Sequence, residues 1–336
     1  MENRLTKKRL ANYLSYEWLG IVATVVASIF LIVILYNALA VKLTVGQQFK
    51  YFFDENVNAD SVNSVTYLIT KGKDGNTVLS YDVLSFSEET LIKGNNVLST
   101  RIQIQEGDVC FTDVNSSTEK RALSIIDGGY VDSYDKLFSD GKKYLAIFLA
   151  DQTKTDTEDM LDYNNLDEDK IKSHFLERMK NDNRFRTEEQ KLAGETLEIE
   201  RIKTLCKDLS DLKKLLDYDD ELRQSGDSLF YDYIYYEQTY QNTHSQDAEN
   251  RYQTARQSNI DLYGRERLRY ALKIEKLGGG EGKKTANEYF RLKDSSTSKD
   301  VVLIVFDFWH YQYDLQFETV TFVNTIVKDF STILDN

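Results

Sequence analysis

Proline is absent from all 336 residues of this chain, although it makes up about 5% of an average protein. The turns must therefore come from Gly, Asn and Asp, which reach the required backbone angles in other ways. Cysteine is nearly absent as well, since Cys110 and Cys206 are the only two. Two cysteines do not make a disulfide framework. Each lies in an apolar pattern, so we expect two buried free thiols.

Basic charge is also scarce, because 42 Lys and Arg face 55 Asp and Glu and the net charge is −13. The first 17 residues carry four basic and two acidic side chains, so the rest of the chain carries −15. An acidic surface repels the phosphate backbone of nucleic acids and the head groups of anionic lipids. The composition therefore argues against nucleic acid as a partner and favours a soluble, acidic main portion.

Motifs for catalysis and for cofactors are missing. The histidines at 174, 244 and 310 form no His-x-x-x-His or Cys/His cluster, so we expect no zinc site. The sequence has no P-loop, no G-x-S-x-G and no G-x-G-x-x-G after a strand. Acidic runs at 162–169 and 217–221 lack the glycine and terminal glutamate of an EF-hand loop. We predict no cofactor, no metal and no enzymatic activity.

One long apolar segment stands near the N-terminus. Residues 18–36 contain no charged side chain, and the charge-free stretch continues to Val41. A bilayer core needs ~20 apolar residues of helix, so we predict a transmembrane helix at residues 18–41 that crosses the lipid bilayer. A buried core helix and a cleaved signal peptide, with a site after Ala40, are the alternatives. The apolar region is longer than a typical signal core, which favours an uncleaved signal-anchor.

The flanking charges predict the orientation of this helix. Residues 1–17 form a basic tail with Arg4, Lys7, Lys8 and Arg9, whereas few basic residues follow the helix closely. Basic flanks stay in the cytoplasm. We therefore predict a single-pass protein of the cell membrane with a cytoplasmic N-terminus and an extracellular C-terminal domain.

Residues 46–150 have the pattern of an α/β lobe. Short apolar runs at 49–53, 108–112 and 144–150 predict strands. Residues 65–70 and 77–84 flank Asp74-Gly75, which predicts a hairpin. Residues 87–103 begin with Ser87 and Glu88 and continue with the spaced apolar residues Leu91, Leu98 and Ile102, which predicts a helix.

Residues 151–268 are charged and predict helices, and residues 269–336 return to the α/β core. Ile202, Leu205, Leu209, Leu212 and Leu216 follow a 3-4-3-4 spacing, so they form one stripe of a helix. The stripe is shorter than a true coiled coil requires, which favours packing on the core over oligomerisation. Runs at 269–274 and 301–306 predict strands, and 317–330 predicts a C-terminal helix. The fold class is α/β with a large helical insertion.

Aromatic clusters suggest where a ligand binds. Tyrosines and a phenylalanine crowd residues 230–240, where Tyr233, Tyr236 and Tyr240 keep helical spacing and suit packing. Residues 307–313 follow an apolar strand and contain Trp309. Because ligands of open α/β sheets bind beyond the carboxyl ends of strands, Trp309 and Asp113 are the candidate ligand-binding residues.

The order of motifs resembles that of a group of single-span proteins from clostridial-type, low-GC Gram-positive bacteria. The matching segments are LTVGQQFKYFF at 43–53, KDGNTV at 73–78, VLSTRIQ at 97–103 and EGDVCFTD at 106–113. The outer part of that group resembles type II periplasmic, or extracytoplasmic, solute-binding proteins. The resemblance implies that Gly107-Asp108-Val109 builds one lobe and that 269–274 with the following glycines crosses between lobes. The helical middle and the absence of a lipobox cysteine depart from the pattern.

Two functions follow as hypotheses. The first is a membrane-anchored, extracytoplasmic domain that binds a small ligand or peptide as a sensor or accessory subunit. The second is a structural protein of the cell envelope whose helical middle binds a protein partner.

The orientation can be measured with a cysteine at Ser61, made as Ser61→Cys in the full chain. Because Ser61 follows the transmembrane helix, its thiol should react with a membrane-impermeant maleimide in intact cells. The parent chain is the control, since its two thiols are expected to be buried. Labelling that appears only after lysis would contradict the predicted topology.

Overall fold

The computed structural model describes residues 7–39, 43, 47–57, 64–71, 76–91, 100–101, 104, 106–114, 121–155, 158–307 and 317–335. Two compact units divide the chain, Met1–Thr44 and Val45–Asn336. Trp309, one of the two predicted ligand-binding residues, lies outside the described residues, and so do its neighbours in the sequence, 308 and 310–313.

The first unit contains the helix α1 (Lys7–Leu39). Its segment Trp18–Tyr36 is long and apolar enough to cross a membrane, and none of it is buried. Thr24 Oγ1 donates to Gly20 O and Ser28 Oγ donates to Thr24 O, both at 2.8 Å. The two hydroxyls are therefore paired within the helix, as an apolar environment requires. The apolar helix predicted from the sequence is confirmed, and its length suits either a membrane anchor or a signal sequence.

The second unit is a mixed α/β fold. Its helices are α2 (Val65–Ile69), α3 (Arg121–Asp127), α4 (Tyr134–Ala146), α5 (Glu168–Arg178), α6 (Glu188–Gln224), α7 (Glu237–Thr243), α8 (Gln246–Tyr263) and α9 (Glu318–Phe330). Its strands are β1 (Gln48–Asp54), β2 (Thr70–Lys71), β3 (Asn76–Thr77), β4 (Ser85–Leu91), β5 (Val109–Asp113), β6 (Val131–Asp132), β7 (Phe230–Tyr233), β8 (Leu268–Lys273) and β9 (Val301–Phe306).

A mixed sheet with the strand order β4-β1-β5-β9-β8-β7 forms the centre of this unit. Strands β4, β1 and β5 are parallel to one another. Strand β9 runs antiparallel to both β5 and β8, and β8 runs antiparallel to β7. The short strand β6 also pairs with β9. Strands β2 and β3 form a separate two-stranded ribbon.

Both faces of the central part of the sheet are covered, which explains why β1, β5 and β9 are mostly apolar. Alternate side chains of β1 point to opposite faces: Phe49, Tyr51 and Phe53 enter the larger core, and Phe52 enters the smaller one. Helices α2, α4, α6 and α9 cover the larger core, whereas α3 covers the smaller. All six residues of β9 are buried, as its unbroken apolar run predicted.

Helix α6 crosses the larger core, and the predicted stripe of Ile202, Leu205, Leu209, Leu212 and Leu216 is buried. The stripe packs against α4, α5 and α9 of the same chain. Glycine allows the closest approach, because a Cβ on Gly141 of α4 would lie 2.4 Å from Leu209 Cδ2. Packing on the core, and not oligomerisation, accounts for the stripe.

The Gly107-Asp108 motif joins β1 to β5. Gly107 has φ +120°, and a Cβ there would lie 2.0 Å from the Phe52 ring, so the position requires glycine. Asp108 Oδ2 accepts from Lys50 N at 2.7 Å, and Asp108 O accepts from Phe306 N at 2.9 Å. The motif therefore fixes the ends of three neighbouring strands.

Several predicted elements differ from the structure. Residues 87–91 belong to the strand β4 and not to a helix, because all seven of its residues pair in register with β1. Residues 92–99 lie outside the described part. The predicted strand 144–150 is the end of α4 followed by turns, since its large apolar side chains face the core from a helix. Residues 65–69 are helical, so the predicted hairpin is reduced to the β2–β3 ribbon.

Other predictions agree with the structure more closely. Strands β1, β5, β8 and β9 and helix α9 appear within a residue or two of the predicted positions. The Tyr-rich segment begins as the strand β7, so Tyr233 does not share a helix with Tyr240. Cys110 and Cys206 are both buried and free.

The packing of α6 can be measured by Leu209→Ala, with Leu192→Ala on the same helix as a matched control. Leu209 is 0% exposed and Leu192 is 66% exposed. We expect Leu209→Ala to lower the free energy of unfolding by about 2–5 kcal/mol and the control to change it by under about 0.5 kcal/mol. Urea denaturation of the full chain in detergent, followed by circular dichroism, measures both. Equal losses would show that α6 does not pack as described.

Candidate functional site

A cavity of about 190 Å³ lies between α6, the first turn of α9 and the segment that follows β3. Its volume equals that of about six water molecules at ~30 Å³ each. A second recess of about 690 Å³ shares Leu79, Ser80 and Tyr81 with it. The residues that line the cavity are Val78, Leu79, Ser80, Tyr81, Leu197, Glu200, Arg201, Thr204, Leu205, Phe317, Glu318 and Thr321.

A buried carboxylate, Glu198 of α6, organises one wall of this cavity. Its oxygens accept from Arg201 Nε and Nη2 at 2.9 Å each, from Arg178 Nη2 at 2.8 Å and from Tyr81 OH at 2.9 Å. Arg201 Nη2 also donates to Tyr144 OH at 2.8 Å. The side chains of Glu198 and Arg201 are almost completely buried. One carboxylate thus joins α4, α5, α6 and the segment after β3.

A second buried carboxylate, Asp82, extends the network. It receives hydrogen bonds from Arg178 Nη1 and from Arg184 Nη2, and Arg184 also pairs with Asp182. Charges leave water at a cost of several kcal/mol each, which is recovered only when every partner is present. The network is therefore sensitive to the loss of any one of its members.

The charge of Glu198 is stabilised strongly. Burial raises the pKa of Glu198, but the guanidinium groups of Arg201 and Arg178 outweigh burial and lower the pKa to about 2. Glu198 is therefore ionised in the folded protein at neutral pH.

Glu318 also lines the cavity, but its carboxyl group accepts fewer hydrogen bonds than that of Glu198. Its Oε2 accepts from Ser80 N at 3.0 Å, whereas its Oε1 lies 3.9 Å from Arg201 Nη1, beyond hydrogen-bond distance. The residue is 6% exposed. Burial raises the pKa of Glu318, and Arg201 only partly opposes this effect. The carboxyl group therefore retains hydrogen-bonding capacity toward the cavity.

Asp113, one of the two predicted ligand residues, lies elsewhere. It ends β5 and is completely buried beside Asp54, which ends the adjacent parallel strand β1. Strand β4 lies on one side of β1 and β5 on the other, so the boundary between β1 and β5 is the topological switch point of the parallel strands. The cavity at α6 and this switch point have no lining residue in common.

An ion pair occupies the switch point. Arg121 Nε lies 3.0 Å from Asp54 Oδ2, and Thr112 Oγ1 donates to the same oxygen at 3.2 Å. Burial raises the pKa of Asp54, Arg121 opposes the rise and the nearby Asp113 adds to it. The carboxyl edge is also tied to the segment before β9, because Val114 N donates to Asp300 O at 3.0 Å and Lys293 N to Asn56 O at 2.7 Å.

Sequence reasoning missed every charged residue of the cavity. A signal existed, because the stripe of α6 continues backwards from Ile202 by four residues to Glu198 and from Leu205 by four to Arg201. A charged pair at two apolar positions of a helix indicates buried partners. Glu318 and Tyr81 carry no such signal, since nothing local distinguishes them from exposed side chains.

Comparison with protein-family models, with curated proteins and with solved structures gives no match to this chain. Within the described residues, no three His, Cys, Asp or Glu side chains converge in a way that could hold a metal ion. The geometry of the residues themselves must therefore carry the functional argument.

The importance of the network can be tested with Glu198→Gln, using the exposed Glu221→Gln of the same helix as a control. The substitution leaves two buried arginines without their shared partner, so the free energy of unfolding at pH 7 should fall by about 3–5 kcal/mol. The control should change it by under about 0.5 kcal/mol. Equal effects in thermal or urea denaturation would contradict the role assigned to Glu198.

The same variant also has an expected pH signature. Because the folded pKa of Glu198 is lowered from 4.5 to about 2, its contribution is fully present above pH 4.5 and is lost as the pH falls toward 2. Over that window the slope of stability against pH in the variant should be smaller by about 1.4 kcal/mol per pH unit. Parallel curves for the two proteins would show that Glu198 is not held ionised.

Proposed function

We propose that this chain is a membrane-anchored, extracytoplasmic domain that binds a small ligand and acts as a sensor or accessory subunit. The observation that carries the proposal is the cavity beside α6, into which the buried Glu318 presents an oxygen that no described residue hydrogen-bonds. Ligand sites are typically concave and mostly apolar with a few placed polar groups. Leucines and Phe317 supply the apolar part of this lining, and Glu318 is one of its polar groups.

The apolar helix and its flanks support the anchor. Trp18–Tyr36 has the length and composition to cross a membrane, and the basic residues lie mainly on its N-terminal side. The acidic main portion then lies outside the cytoplasm in this proposal.

We propose that the second unit corresponds to a single lobe of a solute-binding-like fold. The motif at Gly107-Asp108 joins neighbouring strands of the sheet, as the resemblance implied for a lobe. However, the glycines after β8 lead back to the C-terminus, where Gly279 N donates to Phe330 O at 2.9 Å. Within the described residues, all strands except the β2–β3 ribbon belong to one sheet. The ligand therefore binds within the lobe, and not in a cleft between two lobes.

Asp113 remains a second candidate for ligand contact, because it lies at the switch point of the parallel strands.

The partner-binding alternative loses its first motivation, since the leucine stripe at 202–216 is buried in the core. Ligand binding is therefore preferred over an envelope scaffold.

A thermal-shift screen of the full chain in detergent tests the proposal with sugars, amino acids, amines and short peptides. A ligand at 100 times its Kd should stabilise the protein by about 2.7 kcal/mol. The control is Leu197→Trp, which fills the cavity from a side chain that is 44% exposed and should remove the shift. The proposal fails if no compound stabilises the parent chain, or if every hit stabilises both proteins equally.

A further inference from the structure

The charges around the cavity disfavour an anion. Glu200 and Glu318 are two carboxyl groups in its lining, and Arg201 is the one cation among the described lining residues. The guanidinium of Arg201 already donates twice to Glu198 and once to Tyr144. A carboxylate or phosphate entering the cavity would meet the carboxyl groups of Glu318 and Glu200, while the charge of Arg201 is already paired with Glu198.

Glu318 instead presents an acceptor. An ionised carboxylate has about four acceptor positions, and among the described residues Glu318 uses one oxygen, for Ser80 N. Its other oxygen is 3.9 Å from Arg201 Nη1. A carboxylate oxygen in a largely buried residue favours a ligand that donates a hydrogen bond to it.

Thr321 adds a second acceptor one turn along α9. Its Oγ1 donates its proton to Asp208 Oδ2 at 2.6 Å, so the lone pairs of that hydroxyl are what it can offer to a ligand. Two acceptors on one wall match a group with several donors, and an ammonium has three. Apolar side chains also line the cavity, with Leu79, Leu205 and Phe317 among them.

We infer that the cavity binds a small primary amine, with its ammonium group on Glu318 and Thr321 and a short apolar chain against the leucines and Phe317. This inference rests on the proposed ligand-binding function and names the class of ligand. Because burial raises the pKa of Glu318, a bound ammonium would also favour the ionised carboxylate by neutralising it.

Three probes of equal chain length test this class: n-butylamine, n-butanol and sodium butyrate. Calorimetric titration at pH 7 into the full chain in detergent should give a Kd for the amine at least about tenfold below that for the alcohol, because a charge-assisted hydrogen bond is stronger than a neutral one. Butyrate should not bind.

Glu318→Gln keeps the shape and removes the charge, so it should weaken the amine at least about tenfold and change the alcohol by under about twofold. Circular dichroism confirms its fold, Glu221→Gln is the control, and Leu197→Trp should abolish binding of both probes. Amine binding that is unchanged in Glu318→Gln, or butyrate binding as tight as that of the amine, overturns the inference.

The outcome also separates this inference from the proposed function. If alcohol, butyrate or another compound binds in a way that Leu197→Trp abolishes, but the amine does not bind, then the cavity is a ligand site and the amine class is wrong. If neither the amine nor any library compound binds, both proposals fail.

Discussion

The pairing of Glu198 with Arg201 and Arg178 is the interaction on which the arrangement of the second unit depends. Through these three side chains, α6 is tied to α5, to α4 by Tyr144 and to the segment after β3 by Tyr81. A buried charge is stable only while its partners stay in place. The network therefore joins four segments, and two of them, α6 and the segment after β3, also line the cavity.

The polar groups in the lining of the cavity determine whether it holds water. An apolar cavity stays dry and tends to shrink, whereas a cavity with polar groups on its wall holds water that hydrogen-bonds to them. Arg201 and Tyr81 of the charged network line the cavity together with Glu318, so the site combines polar with apolar side chains. Binding then depends on how well a ligand replaces the hydrogen bonds of the water that it displaces.

Sequence patterns predicted the apolar framework well and the polar contacts poorly. Short, mostly apolar runs identified β1, β5, β8 and β9, because strands inside a covered sheet need apolar side chains. The patterns misled at 87–91, where the edge strand β4 carries mainly polar side chains, and at 144–150, where the end of a helix is as apolar as a strand. Glu198, Asp82 and Glu318 come from distant parts of the chain, and their convergence depends on a tertiary arrangement that local patterns do not contain.

Strand β9 occupies the middle of the sheet, between β5 on one side and β8 and β6 on the other, although it is the last of the described strands in the sequence. Before it is in place, β4-β1-β5 and β7-β8 are two separate pieces without a shared neighbour. During synthesis the ribosome must release β9 before the sheet can close. Contacts as distant as Cys110 with Ile304 also make folding slow, so chains without β9 expose unpaired strand edges.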